Sequence, residues 1–269
     1  MIKSIRVLGS GGAFDTDQVN SSFYIEAGNG ALLYDCGYNV FAELKRLEAE
    51  PETKDIIKNI SAVYLSHEDD DHVGSIKSLV YYRYFIHGLV TRILYRGSFA
   101  KALFDIDNFN REMKGSTFVR ADIITLREIG DSYKVPGANL IITPVKGNHH
   151  IPSYGVILED ESSESLIAIS GDTKANPLFE AKVNERVSYL SPSKYTSVMI
   201  FHDYSYWDAP SRQVHACKSD TQFEYSGEFA EKAIAYHNNK ATCRGKVYSF
   251  PFQEEDINDI TLADAIREN

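Results

Sequence analysis

The densest group of potential metal ligands lies at residues 67–72, where the sequence reads His-Glu-Asp-Asp-Asp-His. Imidazole and carboxylate groups are the nitrogen and oxygen donors that bind zinc and related divalent ions. The group directly follows an apolar run that we predict to be a buried strand. Because the chain turns at a strand end, we expect His67 and Asp69 to face one point, and the adjacent pair Asp71 and His72 to face a second point nearby.

Three further residues of the same chemistry are His149, Asp172 and His215. Each lies at a predicted strand end beside small or turn-forming residues, where functional side chains are usually mounted. The alternative is that the run at 67–72 is a solvated acidic turn in which Asp71 caps the next helix. The three additional residues favour a metal site, because such a set can hold two divalent ions about 3.5–4 Å apart, an arrangement that activates water and clamps a phosphoryl group.

Strand and helix patterns alternate along the chain around these residues. Apolar and β-branched runs predict strands at Ile5–Gly9, Ser22–Glu26, Ala31–Tyr34, Ser61–Leu65, Leu140–Val145, Tyr154–Leu158 and Leu166–Ser170. Helical spacing predicts helices over Val40–Glu50 and Val73–Ile86. Strands punctuated by helices favour sheets with helices packed outside, in an α/β or αββα layering. No linker composition or internal repeat marks a boundary, so we predict one domain over residues 1–269.

Composition narrows the class of protein. With 28 Lys+Arg against 38 Asp+Glu, the formal net charge of the 269 residues is −10, which counts against a large nucleic acid as partner. The three cysteines, Cys36, Cys217 and Cys243, are an odd number at wide spacings and indicate no disulfide framework, so we expect a reducing cytoplasm. No apolar run approaches the roughly 18 residues of a membrane helix, and we expect no membrane association.

The stretch Leu65–Gly74 resembles the signature of the metallo-β-lactamase superfamily, written H-x-H-x-D-H. The other motifs stand before and after it in the order of the tRNase Z-like branch of that superfamily. They are Val7–Ala13 with Leu33–Gly37, His149–Gly155, Ser170–Thr173, Phe201–Asp203 and Val214–Ala216. The resemblance spans roughly residues 2 to 250, and within the branch it is most similar to the anti-Pycsar cyclic-nucleotide phosphodiesterases. It implies the αββα metallo-β-lactamase-like sandwich.

The resemblance also implies a set of ligands. Two divalent ions, zinc or alternatively manganese, are expected to be held by His67, Asp69, Asp71, His72, His149 and Asp172. The first ion would take His67, Asp69 and His149, the second would take Asp71 and His72, and Asp172 would bridge them. We assign His215 and Asp71 to catalysis. His215 would protonate the leaving group, and Asp203 would orient the His215 ring.

Two departures from the family pattern stand out. Asp69 occupies the position of the second histidine, which adds negative charge and favours harder ions such as manganese. We place Tyr248–Phe252 at the strand end where the branch carries its last ligand histidine, and no histidine is there. The second ion would then have only three protein donors. We expect His237, like His87, to be a surface or helix residue.

Four other residues near these motifs are not assigned as ligands or catalytic groups. We expect Asp35 to be a structural acid behind the site. His150 and His202 stay open between substrate contact and surface position. Trp207, together with the neighbouring segment Tyr204–Tyr206, is open between stacking on a base and covering the core or an interface.

The expected function is metal-dependent hydrolysis of small phosphodiesters, with cyclic mononucleotides as the first choice. The alternatives are a tRNase Z-like RNA-processing nuclease, a catalytically weakened metal- or nucleotide-binding member of the fold, and hydrolysis of a lactone or thioester by the same metals. The resemblance further implies a homodimer, for which the aromatic segment Tyr81–Phe85 offers a surface.

Overall fold

The structure is a computed structural model that describes residues 1–96, 121–126, 132–160, 162, 164–189, 195, 197–206, 214–217, 227–238, 245–250, 259 and 261–268. Within these ranges, no helix is both long enough and apolar enough to cross a membrane. Cys243, Trp207 and residues 251–252, which carry sequence-based expectations, lie outside them.

Two β-sheets form the body of the protein in the described ranges. The strands of the first sheet are β1 (Ile2–Gly9), β2 (Ser22–Ala27), β3 (Gly30–Tyr34), β4 (Ile60–Leu65), β5 (Thr91–Tyr95), β6 (Ala121–Thr125) and β13 (Val247–Ser249). The strands of the second are β7 (Tyr133–Val135), β8 (Leu140–Lys146), β9 (Tyr154–Asp160), β10 (Ser165–Ile169), β11 (Ser197–Asp203) and β12 (Ala233–Tyr236). Their orders are β13-β1-β2-β3-β4-β5-β6 and β12-β11-β10-β9-β8-β7.

Helices flank both sheets. They are α1 (Val40–Glu48), α2 (Asp70–Val73), α3 (Ile76–His87), α4 (Pro177–Tyr189), α5 (Gly227–Lys232) and α6 (Leu262–Glu268), with a short 3-10 turn at Pro51–Thr53. Leu44 of α1 and Leu79 of α3 are buried in a cluster on one face of the first sheet. Phe179 of α4 is buried in a separate cluster on the second sheet. The helices therefore form the two outer layers.

A third apolar cluster lies between the sheets and joins them. It contains Ile5, Phe23 and Tyr34 of the first sheet together with Leu158 and Phe201 of the second, all buried. Phe23 contacts Phe201 with ring centroids 4.7 Å apart, so the two sheets pack face to face through aromatic side chains. This confirms the predicted αββα sandwich.

The parallel pairing brings chemistry-bearing residues to one edge of the sandwich. In the first sheet, β3, β4, β5 and β6 are mutually parallel, and β4 ends immediately before the segment 66–72. In the second sheet, β10, β11 and β12 are parallel and lead into Asp172, Asp203 and His237. Carboxyl ends of parallel strands are the usual mounting point for ligand-binding groups in such sheets.

The helix predicted over Val73–Ile86 is interrupted at its start. Residues 70–73 form α2, and α3 begins only at Ile76, because the intervening Ser75 is drawn into a tertiary contact. The backbone N–H of Ser75 donates to the carbonyl of Cys36 at 3.0 Å, and its hydroxyl accepts from the N–H of Phe41 at 3.1 Å. The interruption ties the segment after β4 to the loop after β3.

Gly155 offers a test of how closely two strands of the second sheet approach. A Cβ at this position would lie 2.2 Å from the carbonyl oxygen of Ser170. We expect Gly155→Ala to lower the free energy of unfolding by about 1–3 kcal/mol, because overpacking forces the backbones apart. The measurement is urea denaturation of the metal-free protein. Ile157→Val on the same strand is the control, with an expected loss of about 0.5–1.5 kcal/mol, and a smaller loss for Gly155→Ala than for this control would contradict the close approach.

Candidate metal centre

Asp172 lies at the centre of a cluster of histidines and aspartates between the two sheets. It follows β10 after Gly171, whose φ of +64° turns the chain into the interior, and only 2% of its surface is exposed. One carboxylate oxygen, Oδ1, lies 3.2 Å from Nε2 of His72. The other, Oδ2, lies 3.4 Å from Nε2 of His237 and 3.7 Å from Nε2 of His67. The carboxylate therefore faces histidines on both of its sides.

Four buried residues form one set of donor atoms, which we call the inner set: Asp71, His72, Asp172 and His237. Their donor atoms all lie within 4.8 Å of one another. Nε2 of His72 is 3.3 Å from Oδ2 of Asp71, and Nε2 of His237 is 3.8 Å from the same oxygen. The segment after β4, the turn after β10 and the end of β12 each contribute to this set.

A second set, the outer set, consists of His67, His149 and Asp172, whose donor atoms again lie within 4.8 Å of one another. Asp69 extends it, because its Oδ2 lies 3.4 Å from Nε2 of His67 and 3.4 Å from Nε2 of His149. Asp172 belongs to both sets. The two sets of donor atoms thus share one carboxylate.

The donor atoms have spacings that suit a divalent ion. Zinc bound at about 2.0–2.1 Å by tetrahedral ligands places those ligands about 3.3–3.5 Å apart, and the distances given above range from 3.2 to 3.8 Å. Nε2 of His67, Nε2 of His72 and Oδ1 of Asp172 are buried and have no hydrogen-bond partner. Buried polar atoms are normally satisfied, so orphaned atoms that face one another fit a missing cation.

Asp35 holds one of these histidines from behind. Its Oδ2 accepts a hydrogen bond from Nδ1 of His72 at 2.8 Å, while Ser66 donates to both carboxylate oxygens through its N–H at 2.8 Å and its hydroxyl at 2.7 Å. Asp35 is fully buried and has a φ of +57°. The expectation of a structural acid behind the site agrees with this geometry.

The other histidines are oriented in the same way through Nδ1. Nδ1 of His149 donates to the carbonyl of Val214 at 3.0 Å, and Nδ1 of His237 lies 3.1 Å from the hydroxyl of Ser21. Nδ1 of His67 lies 2.9 Å from the hydroxyl of Ser66. With Nδ1 occupied in each ring, Nε2 is the atom presented to the centre, an arrangement that outer partners commonly impose on metal-ligating histidine.

Negative charge dominates this interior. Within the described part of the chain, no lysine or arginine forms an ion pair with Asp35, Asp69, Asp71, Asp172 or Asp203. Burial alone would raise the pKa of Asp172, but the neighbouring histidines hold it well below its usual range. Burial likewise opposes ionisation of Asp71, yet the His72 ring lowers its pKa to about 2. Carboxylates that stay ionised in a buried place require cations nearby.

His215 occupies the exposed side of the cluster. Its Nδ1 donates to Oδ2 of Asp203 at 2.9 Å and lies 3.6 Å from Oδ2 of Asp172, and a quarter of its side chain is exposed. Asp203 is held in turn by the backbone N–H of Thr173 at 2.8 Å. Burial would lower the pKa of His215, but the Asp203 carboxylate, with a smaller contribution from Asp172, raises it to about 9. The predicted orientation of His215 by Asp203 is present in the structure.

His150 lies further out than its neighbour His149. Its Nε2 is 3.7 Å from Oδ2 of Asp69, and about half of the side chain is exposed. His149 belongs to the outer set with Asp172, whereas His150 lies only in a separate group with Asp69 and His149. The choice of His149 over His150 as a ligand stays a prediction that this placement favours.

The expectation for His237 was wrong. The residue is 5% exposed and faces Asp172 and Asp71, because the four-residue strand β12 pairs in parallel with β11 and ends at Tyr236 beside the cluster. Tyr248, which we had placed at that strand end, lies on β13 and pairs with β1 in the other sheet. The inner set therefore has four candidate protein donors rather than three. The signal missed in the sequence is the short apolar run directly before His237.

His202 also differs from both of its interpretations. It is fully buried, its Nδ1 donates to the carbonyl of Asp203 at 2.7 Å, and its ring packs against Phe179 and Phe229. It is neither a surface residue nor in a position to contact a substrate. It anchors the outer face of β11 instead.

The role of His237 can be tested by metal content. We expect His237→Ala to bind one divalent ion fewer than the wild type, because the inner set loses one of its four donors. The measurement is elemental analysis after loading with zinc or manganese and dialysis. His87→Ala removes a histidine that contacts Glu48 on the helical surface and should leave the metal content unchanged. An unaltered metal content in His237→Ala would contradict a ligand role.

Comparisons with known proteins support this description. The family model described as "Anti-Pycsar protein Apyc1" matches residues 3–249. A curated protein of that name from Bacillus phage BSP38 is 24% identical over 216 residues, which cover 76% of this chain and 77% of that protein. Another from Paenibacillus sp. (strain J14) is 32% identical over 88 residues, and the alignment covers 33% of this chain and 34% of that protein.

Solved structures agree on the fold. The short form of human tRNase Z superposes with a TM-score of 0.63 at 15% identity, covering 93% of this chain and all of that one. The metallo-β-lactamase fold protein YhfI from Bacillus subtilis gives a TM-score of 0.60 at 15% identity, covering 98% and 92%. With a family model matched over nearly its whole length and the metallo-β-lactamase fold around its histidine–aspartate cluster, this chain belongs to the anti-Pycsar Apyc1 family.

Proposed function

We propose that the protein is a metal-dependent phosphodiesterase that hydrolyses cyclic mononucleotides. The observation that carries the proposal is the pair of donor sets joined by Asp172, with ligand atoms spaced 3.2–3.8 Å apart, three of which are buried without a hydrogen-bond partner. The family name refers to an anti-Pycsar activity in its members, and a small cyclic phosphodiester is the substrate class we expect from that family.

The candidate ligands fall into two groups according to their position. His67, Asp69, His149 and Asp172 would hold one ion, and Asp71, His72, His237 and Asp172 the other. When bound, two such ions lower the pKa of water towards neutrality and neutralise the charge that develops on the phosphoryl oxygens. Asp71 would take part in catalysis as a ligand of the ion in the inner set. Asp35 and the partners of the other Nδ1 atoms fix the rings, so little reorganisation is required during the reaction.

His215 is placed to donate the proton that the leaving sugar oxygen requires. Because Asp203 accepts from Nδ1, the proton at Nε2 points away from that carboxylate, and the side chain is accessible at the edge of the cluster. A general acid positioned in this way typically contributes about 10²–10⁴-fold to the rate.

The alternatives now have different support. The weakened binding protein was motivated by the missing last histidine and by Asp69 in place of the second one. His237 answers the first point, and the Asp69 substitution stays. An RNA-processing nuclease must attract a long polyanion, which a net charge of −10 opposes.

A homodimer stays a prediction. Phe85 and Ile86 at the end of α3 are 55% and 62% exposed, and gel filtration would test whether that surface is paired.

The function is tested with a substrate panel. We expect the purified protein to hydrolyse cyclic mononucleotides with zinc or manganese and to lose this activity in EDTA. Cyclic dinucleotides, a linear phosphodiester, a precursor tRNA and a lactone complete the panel. Faster cleavage of the precursor tRNA at its 3′ end would favour the nuclease, and faster turnover of the lactone would contradict a phosphodiesterase.

His215→Asn separates proton donation from metal binding. We expect kcat for a cyclic mononucleotide to fall by about 10²–10⁴-fold with unchanged metal content, because the amide cannot supply the proton. A substrate with a p-nitrophenolate leaving group needs no such proton and should be affected far less. His150→Asn is the matched control. Equal losses on both substrates would contradict the assignment.

A further inference from the structure

Phe14 is the most exposed large apolar side chain in the described ranges, at 96%. Only two other aromatic side chains in those ranges are mostly exposed, Tyr38 at 58% and Phe85 at 55%. Phe85 lies on α3, whereas Phe14 and Tyr38 lie in loops beside the metal centre. Single exposed apolar side chains are common, so the exposure alone does not call for a partner. The position of these two rings beside the metal centre makes them candidates for contact with a ligand.

The loop that carries Phe14, residues 12–20, is fastened at both ends by hydrogen bonds. The N–H of Gly11 donates to the carbonyl of Val19 at 3.0 Å, and the N–H of Ser21 donates to the carbonyl of Gly11 at 2.9 Å. Within the loop, the N–H of Gly12 donates to Oδ2 of Asp15 at 2.8 Å. Phe14 lies on the turn that this bond closes, so its exposure results from a defined backbone shape.

The same loop touches the inner set of donors. A Cβ built on Gly12 would lie 3.3 Å from Nε2 of His237, the atom that faces Asp172. Because consecutive Cα atoms are 3.8 Å apart, the Cα of Phe14 lies at most about 7.6 Å from that of Gly12. A phosphate at the metal centre and a ring on Phe14 are therefore within the span of one nucleotide.

Tyr38 lies on the neighbouring turn, which is tied to this loop. Its hydroxyl donates to Oδ2 of Asp70 at 2.9 Å, next to Asp71 in the sequence. The side chain of Asn39 accepts from the N–H of Asn20 at 2.8 Å and donates to the carbonyl of Gln18 at 2.8 Å. The two exposed rings thus belong to one connected rim on the inner-set side of the centre.

The chemistry of the rim favours a flat, uncharged ring as its occupant. Phe14 is a single aromatic residue among polar neighbours that include Asp15 and Asp17, which is too small an apolar area for a stable protein interface. The two carboxylates also repel a phosphate, which belongs at the metal centre rather than on this loop. A nucleobase is uncharged and stacks well on an aromatic face.

We infer that loop 12–20 is the base-recognition element of the site, with Phe14 stacking on the nucleobase of the bound nucleotide. The inference rests on the proposed function and assigns to this loop the part of the substrate that the metal centre does not bind. Phe14 then determines specificity: it selects phosphodiesters that carry a base and takes no part in bond cleavage.

The test compares Phe14→Ala with Phe85→Ala on two substrates, a cyclic mononucleotide and ribose 3′,5′-cyclic phosphate without a base. Stacking on an aromatic residue accounts for a factor of about 5 to 140 in binding. We therefore expect Phe14→Ala to raise KM for the nucleotide by about that factor, with kcat nearly unchanged and with KM for the base-free substrate unaffected. Phe14→Tyr keeps an aromatic ring and should therefore keep the wild-type KM. Phe85→Ala should behave as the wild type on both substrates.

A direct binding readout accompanies the kinetics. Stacking on Phe14 should quench the fluorescence of a cyclic nucleotide with an etheno-adenine base, and Phe14→Ala should abolish the quenching. An equal rise of KM on both substrates, or no rise on either, would overturn the inference. So would dissociation of a dimer by Phe14→Ala with KM unaltered, which would place a second copy on the ring. If the wild type cleaves neither substrate with metal present, the proposed function itself fails, which is a distinguishable result.

Discussion

Buried negative charge is the constraint on which the rest of this structure depends. Asp172 lies at the centre of a cluster in which several carboxylates face histidines and, in the described part of the chain, no lysine or arginine. Such an interior is unstable unless cations neutralise it, because isolated buried charge costs several kcal/mol for each ion even after relaxation. The fold maintains this unfavourable arrangement with both sheets and with hydrogen bonds from outside. The cluster is therefore better understood as a binding site than as a structural ion-pair network.

Backbone conformation contributes to the same arrangement. Asp35 and His237 have φ values of +57° and +64°, a region that residues other than glycine seldom occupy. Each directly follows the last residue of a strand, β3 in one case and β12 in the other. The left-handed residue turns the chain abruptly, so that the side chain enters the cluster instead of continuing along the sheet. Strain of this kind concentrates at functional sites because the surrounding structure holds it in place.

Much of this could be read from local patterns. The strand before His67 and the glycine before Asp172 are signals contained within a few residues. The order of such motifs along the chain carried the family resemblance, and the resemblance implied the sandwich and the ligand candidates around Asp172. His237 could not be found in this way. The strand before it has four residues with no alternation, and its position depends on parallel pairing with β11, more than 30 residues earlier in the chain. The burial of His202 has the same origin, since its packing partners Phe179 and Phe229 lie on distant helices.

The distribution of ligands along the chain has a consequence for biosynthesis. His67 to His72 follow β4 of the first sheet, His149 and Asp172 lie in the middle of the chain, and His237 follows β12, the edge strand of the second sheet. Proteins are synthesised from the N-terminus, and early segments can collapse before later ones exist. The inner set is therefore incomplete until β12 has been made and has docked on β11. A divalent ion bound there would link the segment after β4 to the end of β12, and it would stabilise the folded chain against separation of its two sheets, because it binds only where both are in place.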